Sequence, residues 1–472
     1  MKAHVTTTEN AAPVETYTAA DHLRPVAHFT ARDTWLNDPN GLLFHDGTWH
    51  LFFQNNPFGS GWGNISWGHA TSQDLVTWDH QPVAIAATPT EQVFSGSAVV
   101  DEANTSGFGA AGQTPLVAIY TSAYTGEHPR AGIQAQSLAY SLDAGTTWER
   151  YAHNPVLDIG STEFRDPKVF RYGGEAGHWV MVVVEATDHR VAIYTSSDLI
   201  DWTFASHFGP WGATGGVWEC PDLFELPVRG TDVRRWVMVV SLNPGGPAGG
   251  SGTQYFVGDF DGYEFVPDDD KATTDGPDWL DHGRDYYAAV SFSGVPGGRR
   301  VMLGWASNWD YAGDTPTAPW RSTMSLAREV DLVRWPDGRP RVAQRPVLPA
   351  DPRPGLVVHD LVVPTTPGRH TEIELSTHDG DDVVRVTVDG DRRTITCDRT
   401  ASGSVDFHET FASVDTVHLP DEPQTHLQIV LDGCVLELYA ADGRATVTQL
   451  VFPRASLTEI AVRQADPEPT VA

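Results

Sequence analysis

The chain has 472 residues, with 31 Lys and Arg against 62 Asp and Glu, so its formal charge is −31. This charge has the wrong sign for neutralising phosphates or an anionic bilayer, which argues against nucleic acids and membranes as partners. Aromatic residues make up 10% of the chain, and 44 glycines and 33 prolines indicate dense turns. The composition is typical of a folded chain with more than one domain and not of a disordered one.

Cysteine usage and the N-terminus predict the compartment. Cys220, Cys397 and Cys434 are too few for a disulfide framework, and an odd count leaves at least one free thiol. The N-terminal residues contain no apolar stretch of the kind found in signal peptides, and no apolar run is long enough to span a bilayer. We therefore expect a cytoplasmic protein, although a secreted chain trimmed of its leader would look the same, and the oligomeric state is left open.

Strand-like segments dominate the first three quarters of the chain. They are rich in β-branched and aromatic residues and are bounded by Gly, Pro, Asp or Asn, as in HLFF (50–53), PLVAIYTS (115–122), HWVMVVVEA (178–186), RVAIYTSS (190–197), RWVMVVSL (235–242) and RVMLGWAS (300–307). Helical periodicity is almost absent. The pattern indicates an all-β domain with many hairpins.

An internal repeat predicts a specific architecture. TSQDLVTW (71–78) recurs as TSSDLIDW (195–202), with looser copies SLDAGTTW (141–148) and GDFDGYEF (258–265). Asp74 and Asp198 are 124 residues apart, which is twice 62. A period near 60 that carries several short strands is typical of a radially repeated sheet, and residues 30–335 hold about five periods. We expect a five-bladed β-propeller, with Trp78, Trp148 and Trp202 packing between blades.

The remaining chain predicts a second domain. Residues 349–370 are rich in proline and lose the period, so they read as a linker. Alternating strands follow, among them DDVVRVTVDG, HLQIVLDG and CVLELYAADG, and these favour a β-sandwich. The predicted organisation is a propeller over residues 1–348, which includes an N-terminal extension over 1–29, then the linker, then the sandwich over 371–472. We expect the sandwich to have a packing role and Cys397 and Cys434 to be free and buried.

Acidic residues stand beside proline in three segments, WLNDPNG (35–41), FRDPKVF (164–170) and WECPDLF (218–224). One such segment alone would most often be a turn. Near the start of successive repeats, however, stand Asp38, Ser95, Asp166, Glu219 and Asp285, at spacings that average about 62. Equivalent positions of successive blades point toward one axis, so these side chains are expected to converge at the mouth of the channel.

Converging carboxylates suit glycosidic cleavage. Their mutual repulsion is expected to raise at least one pKa, which leaves one charged nucleophile and one neutral acid. Tryptophans cluster in the same segments and offer apolar faces to sugar rings, at positions 35, 62, 67, 218, 305 and 309.

The ordered motifs resemble glycoside hydrolase family 32, the retaining β-fructofuranosidases that include invertases, exo-inulinases and levanases. The resemblance extends over nearly the whole chain, through WLNDPNG, HLFFQNNP, WGNISWGHA, VFSGSAVV, FRDPKVF, WECPDLFELPV, GTQYFVGDFDG, DYYAAVSF and WASNWDY with PWRSTMSLAREV. It implies a five-bladed propeller followed by a C-terminal β-sandwich.

The resemblance also implies roles for individual residues. Asp38 would be the nucleophile that forms a covalent fructosyl ester, and Glu219 the general acid and then base. Asp166 would bind fructose hydroxyls and stabilise the transition state. A retaining mechanism implies that the carboxyls of Asp38 and Glu219 are about 5 to 5.5 Å apart. Arg165 is expected to lower the pKa of Asp166 and to bind a hydroxyl.

A further set of residues is expected to contact the sugar. Family members line the terminal fructose pocket at positions that match Asn37, Gln54, Trp62, Phe94, Ser95 and Trp309, and we add Trp35, Arg165, Cys220 and Trp305. For Gln54, Ser95 and Cys220, a purely structural role is the alternative. His69 and His282 are expected to orient loops, since the acid and base roles are filled. No HxH, HExxH or Asp/His cluster suggests a metal ion or another cofactor.

The sequence therefore predicts an exo-acting β-fructosidase on a neutral carbohydrate. Plant invertases have an Asp and a Lys shortly after a Ser-Leu pair, where this chain has Asn243 and Gly246. That difference favours fructans or fructo-oligosaccharides over sucrose. A fructosyltransferase with the same three carboxylates is the alternative, and a non-catalytic sugar-binding protein is disfavoured because all three carboxylates are present.

Overall fold

The computed structural model describes residues 21–268 and 276–465, and nearly all of the regular structure in these ranges is β-strand. Short 3₁₀ turns lie at Asp21–Leu23, Gly174–Ala176, Ala186–Asp188, Pro296–Gly298 and Ala441–Gly443. The first 20 residues of the predicted N-terminal extension lie outside the described residues. The remaining part packs against the C-terminal region, where the Cys434 amide donates to the Leu23 carbonyl at 2.9 Å.

Five antiparallel sheets follow one another along the chain as far as Pro346. The first contains β1 (Trp35–His45), β2 (Thr48–Asn56), β3 (Ser66–Ser72) and β4 (Trp78–Ile85), and the second contains β5 (Glu91–Val100), β6 (Leu116–Tyr124), β7 (Gln134–Ser141) and β8 (Glu149–Arg150). The third contains β9 (Phe164–Tyr172), β10 (His178–Glu185), β11 (Arg190–Ser196) and β12 (Thr203–Phe208).

The fourth and fifth sheets each carry one additional short strand. The fourth contains β13 (Val217–Pro227), β14 (Arg234–Asn243), β15 (Gly252–Phe260), β16 (Phe265–Pro267) and β17 (Asp278–Trp279), and the fifth β18 (Tyr287–Ser291), β19 (Val301–Ala306), β20 (Thr323–Met324), β21 (Arg328–Arg334) and β22 (Pro340–Pro346). The first strand of each sheet contacts the first strand of the next, and β18 contacts β1. This closed ring of five strands confirms the predicted five-bladed propeller.

The repeated sequence motif is a turn between the third and fourth strands of a blade. In the first blade the Ser72 hydroxyl accepts the Leu75 amide at 2.8 Å, and Asp74 accepts the amides of Val76 and Thr77. Ser196 and Asp198 make the same contacts in the third blade. Short polar side chains that accept nearby backbone amides stabilise such turns. The repeat therefore reflects one turn used in several blades.

The C-terminal region consists of two further antiparallel sheets. One contains β23 (Leu356–Pro364), β28 (Gln424–Asp432), β29 (Val435–Ala440) and β30 (Ala445–Leu450), and the other β24 (His370–Ser376), β25 (Val383–Asp389), β26 (Thr394–Ala401), β27 (Val414–His418) and β31 (Glu459–Ala465). Apolar residues from both sheets form one buried cluster. This is the predicted β-sandwich.

The predicted linker needs a correction. Its residues 356–364 form β23, which pairs along its whole length with β28 of the sandwich. The prolines at 349–354 and 364–367 make the composition of the whole segment typical of a linker. The sequence LVVHDLVV between them nevertheless has the β-branched content of a strand. The exact boundaries of the two domains stay a prediction.

Candidate active site

The innermost strand of every blade has an irregularity in its register at the same level. The register shifts lie at Leu36/Pro39 in β1, Phe94/Gly96 in β5, opposite Val182/Val184 in β9, at Glu219/Asp222 in β13 and at Tyr287/Val290 in β18. A β-bulge leaves residues outside the ladder and redirects their side chains. Five bulges around one axis therefore aim side chains from distant parts of the chain toward a common point.

The local sequence explains these bulges. Pro39, Pro167 and Pro221 follow the bulged residues, and proline lacks the amide that a regular ladder would need. Asp166, Cys220 and Ala288 have φ angles of 64°, 47° and 52°. Non-glycine residues in this left-handed region carry strain that is concentrated at functional sites. The carboxylate beside proline in the sequence is thus a marker of the bulge.

Residues at four of the bulges, those in β1, β5, β9 and β13, line a cavity of about 390 Å³, and the fifth blade contributes Trp309. The cavity volume falls within the range of about 300 to 1,000 Å³ of small-molecule sites. The wall contains all three predicted carboxylates together with seven predicted sugar contacts and two residues that the sequence did not single out: Asn37, Asp38, Gln54, Trp62, Phe94, Ser95, Gln134, Glu163, Arg165, Asp166, Glu219 and Trp309. Trp62 is half exposed at the rim.

Asp38 presents one free oxygen. The Ser95 hydroxyl donates to Asp38 Oδ2 at 2.9 Å, which fixes the orientation of the carboxyl group. Asp38 Oδ1 is buried and has no hydrogen-bond partner among the described residues. An oriented carboxylate with one unengaged oxygen is suited to nucleophilic attack on a bound substrate.

Asp166 and Cys220 lie next to Asp38. The Cys220 amide donates to Asp166 Oδ2 at 2.9 Å, and Cys220 Sγ lies 3.7 Å from both Asp166 Oδ2 and Asp38 Oδ2. The thiol therefore contacts both carboxylates. Cys220 is buried and does not line the cavity, so its predicted place in the wall needs correction.

Glu219 is held by two donors. Arg165 Nε donates to Glu219 Oε1 at 3.1 Å, and the Tyr287 hydroxyl donates to Glu219 Oε2. Arg165 is itself oriented by Gln134 at 3.2 Å and Glu163 at 2.6 Å. Donors on both oxygens fix the carboxyl group and stabilise the negative charge that remains after it releases a proton.

Burial dominates the electrostatics of the site. Burial and the neighbouring Glu219 carboxylate raise the pKa of Asp38. Burial raises the pKa of Asp166 to about 7, although the Arg165 guanidinium opposes this effect. The expectation of a raised pKa among the carboxylates is thus met at the two aspartates. Arg165 lowers the pKa of Asp166 as expected, but the larger effect of burial outweighs it. The Nε of Arg165 is 4.0 Å from Asp166 and 3.1 Å from Glu219, so its charge acts mainly on Glu219.

Trp35 and Trp305 do not line the cavity as predicted. Both are buried, and they pack behind Trp309 with ring centroids 6.0 and 4.9 Å from it. Trp35 Nε1 donates to Asn37 Oδ1 at 2.7 Å. The two indoles therefore support residues of the wall. Clustering in sequence identified the right region but not the face to which each ring turns.

The fifth blade differs from the predicted one. Its bulge begins at Tyr287, whereas Asp285 lies away from the cavity, where it contacts Arg399 of the sandwich and Tyr311. The expectation that Asp285 converges with the other carboxylates is wrong. Tyr287 was missed although DYYAAVSF had been recognised, because an average period does not define a position to within two residues.

The two singled-out histidines lie outside the cavity wall. His69 stacks on Phe52 at 4.3 Å and is 3.1 Å from the His50 ring nitrogen. The His282 amide donates to Thr446 of the sandwich at 2.9 Å. Cys397 and Cys434 are free and buried, as expected. Within the described ranges, the group with metal-ligand spacing is His370, Asp389 and Asp391 at the surface of the sandwich. The prediction that the active site uses no metal ion is not tested by this group and stays a prediction.

Across residues 21–268 and 276–465, no helix has the length and apolar character required to cross a bilayer.

Two family models match the chain. The description "Glycosyl hydrolases family 32 N-terminal domain" matches residues 28–346, and "Glycosyl hydrolases family 32 C terminal" matches residues 363–470. Together they cover the propeller and the sandwich.

Characterised relatives and solved structures agree with these matches. The chain is 43% identical to a levanase of Bacillus subtilis over 91% of its own length and 66% of the levanase, and 42% identical to an extracellular exo-inulinase of Aspergillus ficuum over 90% and 89%. The match thus spans just under two thirds of the levanase. The crystal structure of exo-inulinase from Aspergillus awamori has a TM-score of 0.84 at 40% identity, covering 95% of this chain and 96% of that one. The fructofuranosidase of Schwanniomyces occidentalis complexed with fructose has a TM-score of 0.85 at 34% identity, covering 96% and 97%.

The cytoplasmic prediction was wrong. Relatives from Aspergillus and Meyerozyma are named extracellular exo-inulinases, which points to secretion. The prediction relied on the low cysteine count, but a chain with two large apolar cores needs no disulfide for stability. The first 20 residues, on which the other part of the prediction relied, lie outside the described structure.

Matches to both domains of one family, 40 to 43% identity to its members and the same fold lead to one conclusion. The chain belongs to glycoside hydrolase family 32.

Proposed function

We propose that the protein is a retaining exo-β-fructosidase that releases terminal β-D-fructofuranosyl units from fructans such as levan and inulin and from fructo-oligosaccharides. The observation that carries the proposal is the position of Asp38, with its free Oδ1, in the same cavity of about 390 Å³ as the doubly held Glu219. A nucleophile and a proton donor around one small cavity are what cleavage of a terminal sugar requires.

The first half of the reaction transfers the fructosyl unit to the enzyme. Asp38 Oδ1 attacks C2 of the terminal fructose, the bond from C2 to the glycosidic oxygen breaks, and Glu219 gives its proton to that oxygen. The shortened chain leaves as an alcohol, and the fructosyl unit remains as an ester on Asp38. Arg165 and Tyr287 then stabilise the Glu219 carboxylate.

The second half returns the enzyme to its starting state. The Glu219 carboxylate accepts a proton from water as the water oxygen attacks C2, and the ester bond to Asp38 breaks. Asp166 lies beside Asp38 and is suited to accept hydrogen bonds from the fructose hydroxyls. Trp62, Phe94 and Trp309 supply apolar faces for the ring. No step of this reaction requires a cofactor.

The relatives support fructans as the substrate class, since they are named levanase and exo-inulinase and one solved neighbour is complexed with fructose. The choice between β-2,6 and β-2,1 linkages and the activity on sucrose are open within this proposal. A fructosyltransferase would use the same carboxylates with a sugar hydroxyl in place of water, and no contact in the cavity favours it.

The test is a time course on sucrose, inulin and levan with the wild type and the Glu219→Ala variant. The wild type should release fructose as the main early product. The variant should fold but lose about 10² to 10⁴ in kcat, because it lacks the general acid. Unchanged turnover by the variant would refute the assignment of Glu219. Oligosaccharides longer than the substrate, in excess of free fructose, would favour the transferase.

A further inference from the structure

The propeller is joined to the sandwich by a backbone pairing directly before β18. The amides of His282 and Asp285 donate to the carbonyls of Thr446 and Thr448 at 2.9 and 3.1 Å. Both threonines belong to β30, the edge strand of one sandwich sheet. Two backbone hydrogen bonds therefore attach residues 282–285 to this edge strand of the sandwich.

A fully buried ion pair fixes the end of this segment. Arg399 of β26 contacts the Asp285 carboxylate, and neither side chain is exposed to solvent. Arg399 also donates to the Tyr311 hydroxyl at 2.9 Å, and the Leu450 amide donates to Asp285 Oδ2 at 2.7 Å. A buried pair is weak evidence for stability, but its hydrogen bonds define one geometry.

The neighbouring Arg284 connects the sandwich to the wall of the active site. Its amide donates to Asp415 of β27 at 2.9 Å. Its guanidinium contacts the Ala248 carbonyl and, at 2.6 Å, Asp310. Ala248 lies in the glycine-rich loop between β14 and β15, and Asp310 directly follows Trp309. Arg284 thus connects the glycine-rich loop to the segment that contains Trp309, which lines the cavity.

Two more contacts join these segments. Asn308 donates to the carbonyls of Arg284 and Gly249 at 2.7 and 3.2 Å. The Trp309 amide donates to Ser251 at 3.0 Å. Two residues beyond Asp285, the Tyr287 hydroxyl donates to Glu219. The position of residues 284–287 therefore affects both an aromatic wall residue and the predicted proton donor.

We propose that the C-terminal sandwich is a positioning element of the active site. Asp415 and Arg399 act through residues 284–287 to place Trp309 and Tyr287, whose hydroxyl donates to Glu219. This role goes beyond the packing role expected from the sequence, and it rests on the proposed function for the identity of Glu219. Asp415 and Arg399 are positioning residues because the contacts that place the cavity wall run through other side chains.

The test compares two conservative substitutions of buried sandwich carboxylates that accept backbone amides at different places, Asp415 from Arg284 and Asp432 from residues 26–28. Asp415→Asn weakens the acceptor of the Arg284 amide. Asp432→Asn is the matched control, since Asp432 is another buried sandwich carboxylate and accepts the amides of Val26 and Ala27, both at 2.8 Å. Both variants should lower the melting temperature. Only Asp415→Asn should lower kcat on inulin, by about tenfold or more, and move the alkaline limb of the pH profile of kcat/KM.

Hydrogen exchange provides a second measurement that does not depend on activity. Asp415→Asn and Arg399→Lys should speed amide exchange in residues 245–251 and 284–291, whereas Asp432→Asn should not. Equal changes of kcat and of amide exchange in Asp415→Asn and Asp432→Asn would overturn the proposal. So would wild-type kcat, a wild-type pH profile and wild-type exchange in Asp415→Asn and Arg399→Lys. If Asp415→Asn fails to fold, Arg399→Lys and Tyr311→Phe decide by the same measurements. If the wild type has no fructosidase activity but the variants still show faster exchange, the proposed function is refuted. The positioning of residues 284–287 by the sandwich would still hold.

Discussion

Arg165 donates from Nε to Glu219 at 3.1 Å, although its neighbour in sequence is Asp166. Gln134 and Glu163 accept from Nη1 of the same guanidinium and restrict its position. Arg165, which directly precedes Asp166, therefore orients Glu219, which lies 54 residues further along the chain in the next blade.

Arg165→Lys should lower kcat/KM on fructo-oligosaccharides by about 10- to 100-fold. Lysine retains the charge but cannot contact Glu219, Gln134 and Glu163 in one planar arrangement, and loss of a charge-assisted hydrogen bond costs about 1.5 to 3 kcal/mol. Steady-state kinetics measure the effect. The melting temperature is the control for folding, and wild-type kcat/KM in the lysine variant would show that the contact is dispensable.

Tyr287→Phe should lower kcat and shift the alkaline limb of the pH profile. The change removes the donor on Glu219 Oε2 and leaves the ring in the core. A single hydrogen bond to a charged group corresponds to about tenfold or more in rate. Tyr120→Phe is the matched control, because Tyr120 is an equally buried tyrosine whose hydroxyl contacts Glu91 outside the cavity. An unaltered pH profile for Tyr287→Phe, or the same shift in the control, would argue against the prediction.

Asp166→Asn should inactivate the enzyme but stabilise the fold near neutral pH. Burial raises the pKa of Asp166 to about 7 in the folded state, above the ordinary value of 3.8. Ionisation is therefore more costly in the folded than in the unfolded protein, and the carboxyl destabilises the fold as pH rises from about 4 to about 7. The gain from asparagine is at most about 4 kcal/mol at pH 7.

Urea unfolding at pH 4 and pH 7 measures this difference. The free energy of unfolding of the Asp166→Asn variant should exceed that of the wild type at pH 7 and approach it at pH 4. The same difference at both pH values would show that ionisation of Asp166 is not its cause.

Stability should also fall at alkaline pH because of His28. Burial alone would lower its pKa, but hydrogen bonds and attraction from Asp432 and Glu437 raise the pKa to about 9. The imidazolium therefore contributes stability that is complete below pH 6.5 and lost as pH rises to about 9, at most about 3 kcal/mol. Thermal unfolding of the wild type and His28→Gln across this range tests the effect. His378→Gln is the control, since His378 is exposed; a parallel pH dependence in wild type and His28→Gln would contradict the prediction.

Much of the fold could be predicted because its signals are local. The turn built by Ser72 and Asp74 recurs at Ser196 and Asp198, so the blade period is visible in the sequence. Alternating β-branched residues likewise identified the strands of the sandwich. The strand at 356–364 was missed because flanking prolines dominate the composition of its surroundings.

The active site was predictable only where a motif and a bulge coincide. Asp38, Asp166 and Glu219 lie at bulges followed by proline, and all three reach the cavity wall. Tyr287 has no such mark. The contact between Asp285 and Arg399 joins positions 114 residues apart. Burial of Trp35 and Trp305 likewise depends on tertiary packing that no local pattern encodes.

Mass spectrometry of the enzyme quenched during turnover of a fructo-oligosaccharide tests the covalent role of Asp38 most directly. If Asp38 is the nucleophile, a peptide that contains Asp38 should carry the added mass of one anhydrofructosyl unit, and this mass should be absent from the Asp38→Asn variant. A folded, active Asp38→Asn variant, or a fructosyl group on a residue other than Asp38, would contradict this role.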